Sequence, residues 1–163
     1  MSLGLYLHIP YCFSKCRYCD FYSAPGQRGV PRAYVDALLR ELSRFAPDAP
    51  LRPDTLYFGG GTPSLLDPAD AARLIAAAQP LPGAEITLEA NPETMTEDSL
   101  RAFREAGVNR ISFGVQSARD SQLKTLGRPR RRTPCRVREP QRRHHAGPAP
   151  LYAGRVRRDV GAY

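Results

Sequence analysis

Four short segments that alternate every second residue, separated by segments with an apolar stripe of helical period, constrain this chain more than anything else in it. Residues 4–9 (GLYLHI), 55–58 (TLYF), 85–90 (EITLEA) and 110–116 (RISFGVQ) read as strands. The intervening stretches read as helices. Val35, Leu38, Leu39, Leu42 and Phe45 form one stripe; Ala71, Leu74, Ile75 and Ala78 form a second. A third helix has Thr96 as its N-cap, Glu97 and Asp98 in its first turn, and Gly107 as its stop. A short fourth helix is expected over residues 118–126. The order βαβαβαβα predicts an α/β fold with a parallel sheet and right-handed crossovers.

Strand parity adds a second constraint. Leu5, Leu7 and Ile9 share one face of the first strand, as do Leu56 and Phe58, Ile86 and Leu88, and Ile111, Phe113 and Val115 in the others. These rows should meet the helices. The opposite face carries Tyr6, His8, Tyr57, Thr87, Glu89, Ser112, Gly114 and Gln116. A parallel sheet rarely leaves a face to water, so a small, polar second face suggests a sheet curved around a polar ligand rather than a flat one solvated on one side.

This rhythm stops after Gly127, and the charge changes with it. The formal net charge of the chain is +8, which invites a nucleic-acid reading. Residues 1–127 carry 13 Lys and Arg against 14 Asp and Glu, whereas residues 128–163 carry 11 Arg against Glu139 and Asp159. The tail has Leu151 as its only Leu, and Pro at five positions. Such a segment buries too little apolar surface to offset its chain entropy, so disorder is expected. With no Lys, few aromatics and no recognisable binding motif, it is not read as a nucleic-acid module. The division expected is therefore 1–127 as the folded part and 128–163 as an Arg- and Pro-rich tail, of the kind an out-of-frame reading of GC-rich DNA produces. No stretch approaches the apolar length needed to cross a bilayer, and the first residues lack a basic n-region and a small-residue cleavage site. A cytoplasmic location is expected, where thiols stay reduced.

Cys12-x-x-x-Cys16-x-x-Cys19 follows the first strand directly. Three thiolates on a short loop can each hold one iron of a cubane while the fourth iron stays open for a chelating ligand. Structural zinc takes four ligands, and here the fourth would have to be His8 or the distant Cys135. The spacing favours iron–sulfur.

YLHIPYCFSKCRYCDF (residues 6–21), YFGGGTPSLL (57–66), EITLEANPE (85–93) and RISFGVQS (110–117) together resemble, in order and spacing, the radical S-adenosylmethionine (SAM) proteins related to oxygen-independent coproporphyrinogen III oxidase and the HemW-type haem chaperone. The resemblance covers about three quarters of the chain and implies the N-terminal four βα units of a radical SAM partial (β/α)6 barrel. It implies that Cys12, Cys16 and Cys19 bind a 4Fe–4S cluster, and that the open iron chelates SAM for one-electron cleavage to a 5′-deoxyadenosyl radical. Gly60, Gly61 and Thr62 match loop positions that contact SAM, and Tyr6, Tyr18, Glu89, Gln116 and Arg128 match positions near one or two SAM molecules. Read alone, Tyr6 is equally ordinary strand packing, Glu89 and Gln116 solvated strand ends, and Arg128 surface charge. Their shared position at the carboxyl ends of consecutive strands favours a site.

Oxidases of the family typically carry a further cysteine two residues after the third, where this chain has Phe21. The resemblance is thus closer to the chaperones, which implies haem as a further ligand and a haem-acceptor protein as a partner. The alternative is oxidative decarboxylation of coproporphyrinogen III. Either reading implies a flavodoxin- or ferredoxin-like reductant. His144 and His145 lie in the tail and are poor candidates for haem ligands, and His8 is read as structural.

Overall fold

The computed structural model describes residues 2–45 and 49–127. Arg128, Cys135, His144, His145 and the rest of the expected tail lie outside the described residues. Four strands, β1 (Gly4–Ile9), β2 (Thr55–Gly60), β3 (Glu85–Ala90) and β4 (Arg110–Phe113), form one parallel sheet in sequence order. Helices α1 (Arg32–Phe45), α2 (Pro68–Ala78) and α3 (Glu97–Glu105) connect them, and α4 (Asp120–Thr125) follows β4.

Local chemistry sets the helix ends. The Asp67 side chain accepts from Ala69 N at 2.8 Å and Pro68 stands at the first helical position of α2. Thr96 and Ser99 close a capping box on α3. At the other end of α3, Gly107 adopts φ +109°, with Gly107 N bonded to Arg104 O and Val108 N to Phe103 O. This Schellman arrangement needs a residue tolerant of positive φ at that point.

The core fills the space between the helices and the aliphatic strand face: Leu7, Ile9, Leu56, Phe58, Ile86 and Leu88 from the sheet, Val35, Leu42, Leu74, Ile75 and Phe103 from the helices. Tyr34 on α1 ties helix to sheet by donating to the His8 carbonyl at 2.7 Å. Two expectations need correction. Phe45, on the α1 stripe, is 77% exposed because it is the last residue of the helix, beyond the sheet's cover. Strand β4 stops at Phe113 rather than at residue 116, and Val115 is exposed. Its partner β3 ends at Ala90, where Asn91-Pro92 turns into a 3-10 segment. After Gly114 N bonds to Ala90 O, no further ladder bond to β3 follows among the described residues.

The opposite sheet face carries the polar row. Tyr6 stacks on Tyr57 with ring centroids 5.9 Å apart, Thr87 is buried, and Glu89 is half-buried. Among the described residues, no helix is long and apolar enough to cross a membrane.

Candidate functional site

The cysteine loop leaves the end of β1 and is cinched at its neck. Tyr11 and Ala24 form a parallel bridge, Ala24 N bonds to Pro10 O at 2.6 Å, and Cys12 N bonds to Ala24 O at 3.0 Å. Within the loop Cys19 N reaches Cys16 O, and Arg17 N reaches Leu126 O at the end of α4. His8 places Nε2 3.3 Å from the Tyr22 carbonyl and Nδ1 3.3 Å from the Tyr6 hydroxyl.

Against this loop lies the glycine turn that ends β2. Gly61 N bonds to Ile9 O and Thr62 N to Tyr11 O, each at 2.8 Å. A Cβ at Gly61 would stand 2.7 Å from Tyr11 O and 2.9 Å from Cys12 Sγ, so a side chain there would force the two loops apart. Gly60 has φ +117° and a Cβ on it would strike the His8 ring at 2.7 Å.

The two loops and the ends of β3 and β4 enclose a cavity of about 230 Å³. Its wall brings together Cys12, Cys16, Cys19, Tyr18, Gly60, Gly61, Thr62, Glu89 and Gln116. All three cysteines are free thiols. Among the described residues, no three of His, Cys, Asp and Glu converge as a single metal ion would require. A cubane takes one thiolate at each of three irons, and three free cysteines line this one cavity. The donor set, the glycine cradle and the cavity therefore fit an iron–sulfur cluster with an adjoining ligand. Gln116 reaches the wall with a left-handed backbone, φ +60°. Tyr6 does not join the wall; it stands on the polar sheet face beside Tyr57, 54% exposed. Arg128 lies outside the described residues.

Glu89 is held from two sides. Tyr57 Oη donates to Oε1 at 2.7 Å and Gly60 N donates to Oε2 at 3.2 Å. A carboxylate offers about four acceptor positions, so two remain for hydroxyls of a bound ligand. Burial, then the hydrogen bond to Glu89 and its negative charge, push the Tyr57 phenol up to about 12. Burial and the charge of Glu89 likewise raise Tyr6.

Sequence reasoning passed over Tyr57 and Asn91 as site residues. Tyr57 was legible in principle, since parity puts it on the face of Glu89 in the neighbouring strand. Asn91 gave no such signal; its Nδ2 donates to Thr62 Oγ1 at 3.2 Å only because two turns meet.

Comparison with known proteins gives a consistent picture. The family model described as the radical SAM superfamily matches residues 6–139, a span reaching beyond Gly127. The chain is 48% identical over 132 residues to a protein named heme chaperone HemW from Escherichia coli (strain K12), a match covering 77% of this chain and 35% of that protein. It is 41% identical over 135 residues to radical S-adenosyl methionine domain-containing protein 1, mitochondrial, of Bos taurus, covering 77% of this chain and 29% of the relative. A solved structure of coproporphyrinogen III oxidase (HemN) from Escherichia coli, described as a radical SAM enzyme, superposes with TM-score 0.72 at 32% identity, covering 80% of this chain and 31% of that one. The chain spans about a third of the length of these relatives.

Proposed function

This chain belongs to the radical SAM superfamily, and from that premise we propose that Cys12, Cys16 and Cys19 hold a 4Fe–4S cluster, in a haem-carrying protein of the HemW type. Superfamily membership implies both the cluster and SAM. The observation that carries the residue assignment is the single cavity in which three free thiols face the glycine turn and Glu89.

When bound and reduced, the cluster supplies the electron that cleaves SAM. The chain's own residues bind and orient. Gly60 and Gly61 let backbone approach the ligand, and the two unfilled acceptor positions of Glu89 take ribose hydroxyls. Thr62, Tyr18 and Gln116 contribute to the same wall, and Arg128, outside the described residues, is the proposed partner of the SAM carboxylate. Tyr6 acts from the sheet face, against a second ligand or through its stack on Tyr57.

Anaerobic reconstitution tests the cluster. About four irons and four sulfides per chain, with a paramagnetic signal on reduction, are expected. Cys12→Ala, Cys16→Ala and Cys19→Ala should each abolish them, and Cys135→Ala should not. Zinc alone, or dependence on Cys135, would refute the assignment.

The carrier reading rests on the relatives named as heme chaperones and on Phe21, which lines the cavity where the related oxidases carry cysteine. Haem is the proposed cargo, with a haem-acceptor protein and a flavodoxin- or ferredoxin-like reductant as partners, in the cytoplasm. A full-length protein with the same Cys-Asp-Phe sequence should bind haem and leave coproporphyrinogen III unconverted in the presence of SAM and reductant. The likeness to HemN supports the oxidase alternative, and steady conversion to protoporphyrinogen would establish it.

A further inference from the structure

Of the three thiols, Cys12 is the buried one; Cys16 and Cys19 are half-buried. It is also the one with a side-chain hydrogen-bond partner given by the structure. Thr62 Oγ1 donates to Cys12 Sγ at 3.6 Å, a normal length for the larger sulfur atom, in a buried contact. The same hydroxyl accepts from Asn91 Nδ2 at 3.2 Å. An amide nitrogen can only donate, so Asn91 fills a lone pair of Thr62 and leaves its proton for the sulfur.

The chain is rigidly mounted. Thr62 is 3% exposed, and its backbone N–H is fixed to Tyr11 O. Asn91 is anchored in turn: Thr94 Oγ1 donates to its carbonyl at 2.8 Å, and Ser64 Oγ lies 2.6 Å from that same Thr94 oxygen. Residues from the ends of β2 and β3 thus converge on one cysteine sulfur.

Resting on the cluster assignment above, we infer that Thr62 is a positioning residue whose hydroxyl, aligned by Asn91, hydrogen-bonds the Cys12 sulfur and sets the reduction potential of the cluster. Adding one electron makes the cluster and its thiolates more negative. A donor fixed on a sulfur stabilises that reduced form more than the oxidised one, raising the potential. This role belongs to the Thr62 side chain and is separate from any backbone contact of the glycine turn with SAM.

The test is a potentiometric titration of the reconstituted whole chain, without SAM, followed by paramagnetic resonance. Thr62→Val keeps the shape and removes the donor; Thr62→Ser keeps the donor. The Val variant should be reduced about tenfold less favourably, a fall of about 59 mV for one electron, while the Ser variant stays close to wild type. Should the Val variant take up no cluster, Thr62→Ala serves in its place. A wild-type chain that assembles the cluster, with Val and wild-type midpoints equal or with Ser shifted as far as Val, overturns this inference alone. A wild-type chain that assembles no cluster overturns the cluster assignment and this inference with it.

Discussion

Gly61→Ala is the substitution for which the structure gives the sharpest expectation. The backbone at Gly61 is not in the left-handed region, so the added methyl costs nothing in φ. Its cost is contact. The new Cβ would stand 2.7 Å from Tyr11 O, 2.9 Å from Cys12 Sγ and 3.0 Å from the Pro10 carbonyl carbon. Comfortable separations for such atoms are about 3.5 Å, so one loop must retreat by half an ångström or more. Two of the three obstacles are backbone and cannot swing aside. Retreat also stretches the two 2.8 Å bonds, Gly61 N to Ile9 O and Thr62 N to Tyr11 O, that join the turns. Overpacking and two weakened hydrogen bonds together amount to about 2–4 kcal/mol.

Denaturant unfolding of the metal-free chain measures that loss, and iron content after reconstitution measures the displacement of Cys12. Gly83→Ala is the control. Gly83 has φ +82° with nothing within 4 Å of the added carbon, so it carries only backbone strain of about 1 kcal/mol and should leave iron content unchanged. Wild-type stability and iron content in Gly61→Ala would refute the reasoning. So would an equal loss of iron in the control.

Tyr57→Phe removes one of the two donors on Glu89, and SAM affinity measured by calorimetry should fall about tenfold, or 1.4 kcal/mol; an unchanged affinity would release Tyr57 from that role. Because folding raises the Tyr57 phenol to about 12, its stabilising share is complete below its ordinary value near 10 and is lost as pH rises towards 12. Unfolding measured over that alkaline range should show a decline that Tyr57→Phe flattens. Arg73 bridges α1 and α2, bonding Asp36 and Asp70 at 2.8 Å each. The hydrogen bond from Arg73 holds the Asp36 carboxyl below its ordinary value, so this link is intact above the usual carboxylate range and is lost as pH falls through the lowered value. Acid unfolding curves of wild type and Arg73→Met should therefore converge at low pH.

The aliphatic strand rows were readable because a two-residue period admits no ambiguity about which face a side chain takes, and Leu7, Phe58, Leu88 and their neighbours are buried accordingly. The end of β4 was not readable from its own residues. RISFGVQ alternates to its last position, but the strand lasts only as long as its partner, and β3 stops where Pro92 removes a donor. The site divides the same way. Cysteine spacing is local and announces itself, and the glycine turn gains meaning from following it. The Tyr57–Glu89 bond needs the register of two strands, and the Asn91–Thr62–Cys12 chain needs two loops in van der Waals contact, which no single-sequence pattern encodes. Tyr6 stacks on Tyr57 on the polar sheet face, the face that strand parity gave it.

The cysteine loop also depends on the far end of the described residues, which leads to a last prediction. Its neck is closed by Ala24, but its middle is fastened by Arg17 N to Leu126 O at 3.2 Å, a bond that spans nearly the whole described chain. Gly127 reinforces the contact: at φ +74° it turns the backbone past Arg17, and a Cβ there would press on Arg17 Cγ at 3.2 Å. Leu123, buried on α4, seats the helix that carries this acceptor. Arg17 sits between Cys16 and Cys19, so α4 fixes the spacing of two proposed ligands although none of its residues faces the cavity. A chain ending at Gly127 retains every contact cited for the loop. A chain ending at Arg119 loses α4 and leaves Arg17 N without its acceptor. Reconstituted side by side with the whole chain, the first should take up iron to the same level and hold it against a chelator. The second should keep its sheet, by circular dichroism, and release iron faster. Equal retention by both would show that the neck alone holds the loop and that α4 contributes nothing to the site.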